Sequence, residues 1–204
     1  MDTLLNFPRT INAYSYEDYK RQVIACAEAG RTSGQDQLPE RIGATKINAQ
    51  RMKRIDKQLV LSGEIERIMG HVNKPWTWIL LAESWCGDGA QNIPVIARLS
   101  SLSPYIELKI ILRDENPEIM DAYLTRGARS IPKLICLDAV TNQEIGTWGP
   151  RPFKIQEMVK TYREENPNVP HEIFVNNLHL WYAKDKGESL QEDFEQLLFQ
   201  WTSN

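Results

Sequence analysis

Apolar and polar residues follow two different patterns along this chain, and the change between them lies near Lys74. Before that point, apolar residues recur at helical spacing, which predicts a helix from Ser15 to Gly30, a second helix at 45–60 and a short third helix at 64–69. After it, short apolar runs alternate with helical stretches. The runs predict four strands and the stretches predict three helices: strands at 76–82, 105–112, 133–137 and 144–148, and helices at 90–101, 117–124 and 153–164.

The order of these elements predicts the fold class. A βαβ unit followed by a ββα unit forms a mixed central sheet with helices on both faces, which is an α/β fold. We expect one compact body with three parts: a helical segment at 1–73, an α/β core at 74–165 and a helical hairpin at 166–204.

The hairpin at 166–204 contains more aromatic residues than a capping element requires. Its first helix carries one apolar stripe and ends at Gly187, and Ser189 with Glu192 is expected to cap the second helix. Packing against its own domain would bury this stripe. A dimer interface or a partner groove would also account for the four aromatic side chains Phe174, Trp181, Phe194 and Trp201. The sequence therefore leaves open a monomer and a dimer formed through the hairpin.

Composition and charge exclude several classes of function. The 204 residues include 24 basic and 27 acidic side chains, a net charge of −3, so the chain lacks the strongly positive balance of a nucleic-acid binder. Residues 1–9 have neither the basic leader nor the apolar core of a signal peptide, and no apolar run approaches the roughly 20 residues of a membrane span. The three scattered cysteines are typical of a reducing compartment. We expect a cytoplasmic protein that binds neither nucleic acid nor membrane.

The segment 82–89, Ala-Glu-Ser-Trp-Cys-Gly-Asp-Gly, joins the first predicted strand to the next helix. A buried strand that ends, exposes Trp85 and Cys86 and turns at once into a helix places the sulfur at the helix N-terminus. Unpaired backbone N–H groups and the helix dipole favour the thiolate at such a position. Cys86 is therefore the candidate reactive residue.

The chain resembles thioredoxin-like proteins over about residues 74–165. The resemblance rests on residues that follow each predicted strand in turn: Trp85-Cys86-Gly87, Asp114-Glu115-Asn116-Pro117 with Tyr123 and Arg126, Arg129-Ser130-Ile131-Pro132-Lys133-Leu134, and finally Gly146, Trp148 and Gly149. It implies a thioredoxin-like fold and a cis peptide bond before Pro132. It also implies that this proline lies against Cys86 and leaves the preceding backbone free to pair with an extended substrate.

Two features depart from the pattern of that family. Its redox site is Cys-x-x-Cys, but Gly89 stands where the second cysteine would be, so the usual intramolecular disulfide cannot form. Leu80 stands where many thioredoxins have a buried carboxylate. Cys26 and Cys136 are interpreted as small buried hydrophobic residues. Ordinary dithiol reductase activity is therefore not expected.

Charges near the motif would act on the pKa of Cys86 in opposite directions. The helix N-terminus and Arg129 would lower this pKa, whereas Asp88 and Glu83 would raise it. The outcome depends on where the carboxylate of Asp88 points, because it could instead cap the helix by accepting backbone N–H bonds.

Two functions of different classes remain open. In the first, Cys86 is the single catalytic thiol of a thiol–disulfide exchange or redox-sensing protein, with a small thiol as co-substrate and a thiol-containing protein as partner. In the second, the chain is a redox-inactive binding or scaffold module. In the first, the residues expected to bind the substrate around Cys86 are Trp85, Gly87, Asp88, Arg129, Ile131 and Pro132. No metal and no other cofactor is expected, because His71, His171 and His179 are dispersed.

Overall fold

The computed structural model describes residues 12–203. The first eleven residues of the predicted N-terminal segment, which include the stretch without signal-peptide features, lie outside the described residues, as does Asn204. Within 12–203, no helix is both long and apolar enough to cross a bilayer.

The centre of the fold is a four-stranded mixed sheet, as the element order predicted. Its strands are β1 (Trp76–Ala82), β2 (Ile106–Leu112), β3 (Lys133–Asp138) and β4 (Glu144–Trp148), in the spatial order β2-β1-β3-β4. The strand β1 pairs in parallel with β2 and antiparallel with β3, and β4 pairs antiparallel with β3. The buried central strand β1 therefore ends at Ala82 in the middle of the sheet edge, directly before the candidate motif.

Eight α-helices surround this sheet in the described residues. They are α1 (Tyr16–Glu28), α2 (Pro39–Gln58), α3 (Gly63–Met69), α4 (Gly87–Ser100), α5 (Pro117–Ala122), α6 (Phe153–Glu165), α7 (His171–Asp185) and α8 (Glu188–Ser203). Three helices begin earlier than the sequence predicted, and α3 does so by a single residue. The helix α2 begins at Pro39, whose fixed φ suits a first helical position, and α4 begins at Gly87, directly after Cys86.

The two faces of the sheet bury different sets of helices. The face that carries Trp76, Trp78 and Leu80 packs against side chains of α1 to α4 and α8, whereas the face that carries Ile79 and Leu81 packs against α5. Because side chains alternate along a strand, β1 contributes to both cores. The α/β class with helices on both faces is confirmed.

The last helix is part of the main core. The ring of Phe194 lies 5.3 Å from that of Trp78, and Trp201 lies edge-on to Trp76 at 6.3 Å. Gly146 on β4 makes room for this helix, since a Cβ there would lie 2.2 Å from the indole nitrogen of Trp201. Phe194 and Trp201 are thus buried in the main core, and Phe174 is buried in a separate cluster between α6 and α7. The division into three parts and the dimer through the hairpin stay predictions.

Ser189 does not cap α8, because the helix already begins at Glu188. Ser189 lies in its first turn and bonds back to Asp185 through its hydroxyl and its backbone N–H.

Asp193 fixes α8 to the start of α6. Its carboxylate accepts hydrogen bonds from the indole nitrogen of Trp148 at 2.7 Å and from the backbone N–H of Phe153 at 3.0 Å. Burial is the main cause that raises the pKa of Asp193 from 3.8 to about 6. The contribution of this group to stability is therefore full below pH 3.8 and is lost as the pH rises through about 6.

We expect the substitution Asp193→Asn to remove this pH-dependent loss. Relative to the wild type, the free energy of unfolding of the variant should rise by about 2 kcal/mol between about pH 4 and pH 7, because each pKa unit corresponds to about 1.4 kcal/mol and part of the shift is already expressed at about pH 4. Urea unfolding at both pH values measures this difference. The exposed Glu157 on α6 gives the control Glu157→Gln, which should follow the wild type. A difference between D193N and the wild type that does not change with pH would contradict the assignment.

Candidate functional site

Cys86 is the residue at which the chain passes from β1 into α4. It is the N-cap of α4, and its Sγ accepts a hydrogen bond from the backbone N–H of Gly89 at 3.2 Å. The thiol in turn donates to the backbone carbonyl of Ile131 at 3.2 Å. The Ile131–Pro132 peptide bond is cis, as the resemblance implied. The structure therefore brings Cys86, Ile131 and Pro132 together.

Position 89 lies directly beside the sulfur. A Cβ built on Gly89 would lie 3.5 Å from Cys86 Sγ, so this is the position from which a second thiol could reach Cys86. Cys26 and Cys136 are both buried free thiols. Cys136 belongs to the opposite core from Cys86, on the face of the sheet with Trp78.

Burial decides the pKa of Cys86. Only 7% of this residue is exposed. Burial, followed by the charge of Asp88, raises the pKa of the Cys86 thiol to about 12, while the N–H groups of Gly89 and Asp88 and the charge of Arg151 oppose the increase. The sequence indicated that the helix terminus and nearby charges would set this pKa. In the structure, the removal of the sulfur from water has a larger effect on it than either of them.

Asp88 does not cap α4 and points toward Arg151 instead. Its Oδ1 accepts a hydrogen bond from Arg151 Nε at 2.9 Å, and its Oδ2 lies 2.7 Å from Arg151 Nη2. The hydroxyl of Tyr182 donates to the same Oδ1 at 2.9 Å and accepts from Asn92 Nδ2 at 3.1 Å. A two-pronged ion pair and a phenol together satisfy this buried carboxylate.

The helix α7 closes over the motif next to this ion pair. A Cβ on Gly87 would lie 2.8 Å from the ring of His179, so only glycine fits beneath this histidine. His179 Nδ1 lies 3.4 Å from Gln91 Nε2. Burial, with the nearby charges of Arg51, Arg151 and Arg54, lowers the pKa of His179 to about 4, so the imidazole is neutral at pH 7.

Two arginines hold Trp85 in place. The guanidinium groups of Arg41 and Arg113 lie 4.0 Å and 4.8 Å from the centroid of its rings. The preceding Glu83 is buried and accepts the backbone N–H of Asp114 at 3.0 Å and the hydroxyl of Ser33. These contacts fix the turn between β1 and α4.

Arg129 lies away from the sulfur. Its side chain is 52% exposed and forms an ion pair with Asp121, with Nε–Oδ1 and Nη2–Oδ2 distances of 2.6 Å and 2.5 Å. The cation that acts on Cys86 is Arg151 instead. Sequence reasoning missed Arg151, His179 and Tyr182, although an Asp next to a buried cysteine is a signal that some cation must lie nearby.

A cleft of about 750 Å³ opens beside the motif, between α2 and α7. Trp85, Gly87 and Asp88 line one part of it, and Arg51 and His179 line the adjoining walls. Among the described residues, no group of three or more His, Cys, Asp or Glu side chains could hold a metal ion.

Comparison with known proteins supports the fold. A family model described as Thioredoxin matches residues 36–171. The structure is similar to that of a protein of unknown function from Pseudomonas aeruginosa, with 17% identity, a TM-score of 0.55, and coverage of 91% of this chain and 97% of the other. It is also similar to an HIV epitope-scaffold, with 17% identity, a TM-score of 0.52, and coverage of 91% and 98%. At this identity the similarity shows the fold alone. No curated protein matches the chain significantly.

We expect the substitution Arg151→Met to destabilise the protein by about 3–5 kcal/mol, because it leaves the carboxylate of Asp88 buried without its counter-ion. Adding Asp88→Asn to this variant should recover most of the loss, since the remaining side chain is neutral. Urea unfolding of the wild type, the single variant and the double variant measures both effects. A loss below about 1 kcal/mol in the single variant, or no recovery in the double variant, would show that the ion pair does not hold the site together.

Proposed function

The chain belongs to the thioredoxin family, and on that premise we propose that it is a binding domain in which Cys86 is a structural thiol and not a redox-active one. The observation that carries this proposal is the covered position of Cys86: it is buried, and its thiol donates a hydrogen bond to Ile131. The protonated sulfur donates one hydrogen bond, to Ile131, and accepts one, from Gly89. It thereby links the end of β1 and the start of α4 to the segment before β3.

The missing second thiol removes the usual reaction of the family. In dithiol exchange, a second thiolate attacks the mixed disulfide, so that one protein disulfide forms and the partner leaves reduced. Glycine at position 89 has no sulfur to attack with, and Cys136 lies in the opposite core. A mixed disulfide at Cys86 could not be released by the usual route, and a small thiol from outside the chain could release it instead.

The protonation state of Cys86 also opposes the first step of exchange. The attacking species is the thiolate. With a pKa of about 12, the thiolate fraction at pH 7 is on the order of 10⁻⁵, compared with a few per cent for an ordinary cysteine.

One observation favours a second candidate function, thiol exchange or sensing with an external small thiol. Cys86 lies beside the cis-Pro132 segment, which is the arrangement that the family uses to present a substrate to its cysteine. This function requires Cys86 to become accessible, because only 7% of the residue is exposed and it is buried in the cluster that includes Ile119 and Ile131. Under it, Trp85, Gly87, Ile131 and Pro132 would form the substrate site.

Reaction with oxidised glutathione distinguishes the two functions. We expect Cys86 of the native protein to form the mixed disulfide as slowly as the buried Cys26 and Cys136, and all three to react rapidly in guanidinium chloride, because only unfolding gives access to them. Peptide mass spectrometry over time measures each cysteine separately, and Cys86→Ser gives the blank. Selective modification of Cys86 in the folded protein, much faster than of the other two cysteines, would refute the binding-domain proposal and support the second candidate.

A further inference from the structure

We propose that the cleft between α2 and α7 binds a small organic anion, whose carboxylate or phosphate group is held by Arg51 and whose apolar part lies against Trp85 and Ile47. The inference rests on the proposed function, because it names the class of ligand that the binding domain would take. At about 750 Å³, the cleft has the size of a small-molecule site.

Arg51 lacks a counter-ion where it faces the cleft. Within residues 12–203 it forms no ion pair, and its Nη1 donates to Asn48 Oδ1 at 2.9 Å. Burial and the neighbouring Arg54 lower the pKa of Arg51, and the charge of Asp88 only partly offsets this. A partly buried guanidinium with an unfilled hydrogen-bonding edge is a site for an anion.

The other charges of the cleft are accounted for differently. Asp88 is neutralised by Arg151, and Arg41 pairs with Asp36. Glu40, Glu172 and Arg163 also line the cleft, but all three are exposed, so water screens their charge. The least solvated unpaired charge of the cleft is therefore positive.

His179 supplies a second donor next to Arg51. Arg54 donates to Gln91 Oε1 at 3.3 Å, which orients the Gln91 amide so that its Nε2 faces His179 Nδ1. With Nδ1 as the acceptor, the proton of the neutral ring lies on Nε2. A Cβ on Gly87 would lie 2.9 Å from this Nε2 and 3.6 Å from Arg51 Nη1, so the two donors converge on the backbone of Gly87.

The remaining walls are apolar. Ile47, which is 50% exposed, lines the cleft together with Trp85 and with Val175 and Leu178 of α7. A ligand that consists of a charged group without an apolar part would leave these apolar walls exposed to water. An anion on an aromatic or aliphatic body would cover them and bring its charge to Arg51.

Calorimetric titration of the full chain with phenyl phosphate and with phenylacetate tests the proposal, and benzylammonium serves as the cationic control. We expect at least one of the two anions to bind the wild type saturably and benzylammonium not to bind. The difference in affinity between the two anions shows whether the site prefers a phosphate or a carboxylate group. Arg51→Gln should weaken binding about tenfold to hundredfold, which is the range for a lost charge-assisted hydrogen bond. The matched control is Lys53→Gln, which removes the same charge from an exposed position of α2 outside the cleft and should bind like the wild type.

Absence of saturable binding of either anion to the wild type, or equal affinities of R51Q and K53Q, would overturn the proposal. If R51Q does not fold, amide chemical-shift changes in the wild type decide: changes centred on Gly87 and Gly43 support the site, and changes elsewhere refute it. The oxidised-glutathione experiment is independent of this one. If Cys86 is inert and no anion binds, only the proposed anion site is refuted. If Cys86 is reactive and the anion binds through Arg51, only the structural role of the thiol is refuted.

Discussion

The ion pair between Asp88 and Arg151 is the interaction on which the site depends. A carboxylate in the first turn of α4 is buried beside the sulfur, and such a charge is tolerated only with a counter-ion and further donors. Arg151, from the turn after β4, supplies the charge, and Tyr182 of α7 supplies a hydroxyl. Satisfying Asp88 therefore draws together three segments that are far apart in sequence.

The surroundings of Cys86 explain its protonation state. Tyr182 and His179 of α7 lie over Asp88 and Gly87, whereas Cys86 itself is buried in the apolar cluster that includes Ile119 and Ile131. Burial then outweighs the helix terminus and raises the pKa of the thiol. The helix α7 also forms one wall of the cleft that contains Arg51, so the element that helps to satisfy Asp88 also helps to form the proposed ligand site.

Local patterns predicted most of the fold and part of the site. The strands β1 and β4 were predicted to the residue, because a continuous apolar run and a short β-branched segment are strong local signals. Cys86, Ile131 and Pro132 were predicted to lie together from the resemblance. The cover provided by α7 was not predicted, because it depends on contacts between residues about ninety positions apart, such as Asp88 with Tyr182. Arg129 was chosen for its place beside the proline and Arg151 was not considered, but Arg129 lies at the surface in an ion pair with Asp121.

The most direct test of the central claim is the ultraviolet absorbance of the Cys86 thiolate as a function of pH, taken as the difference between the wild type and Cys86→Ser. Between about pH 6 and pH 9.5 we expect no thiolate step in this difference, because burial keeps the sulfur of the folded protein protonated. A step with a midpoint below the ordinary cysteine value of about 8.5 would contradict the account, since it would show an activated thiolate in the folded protein.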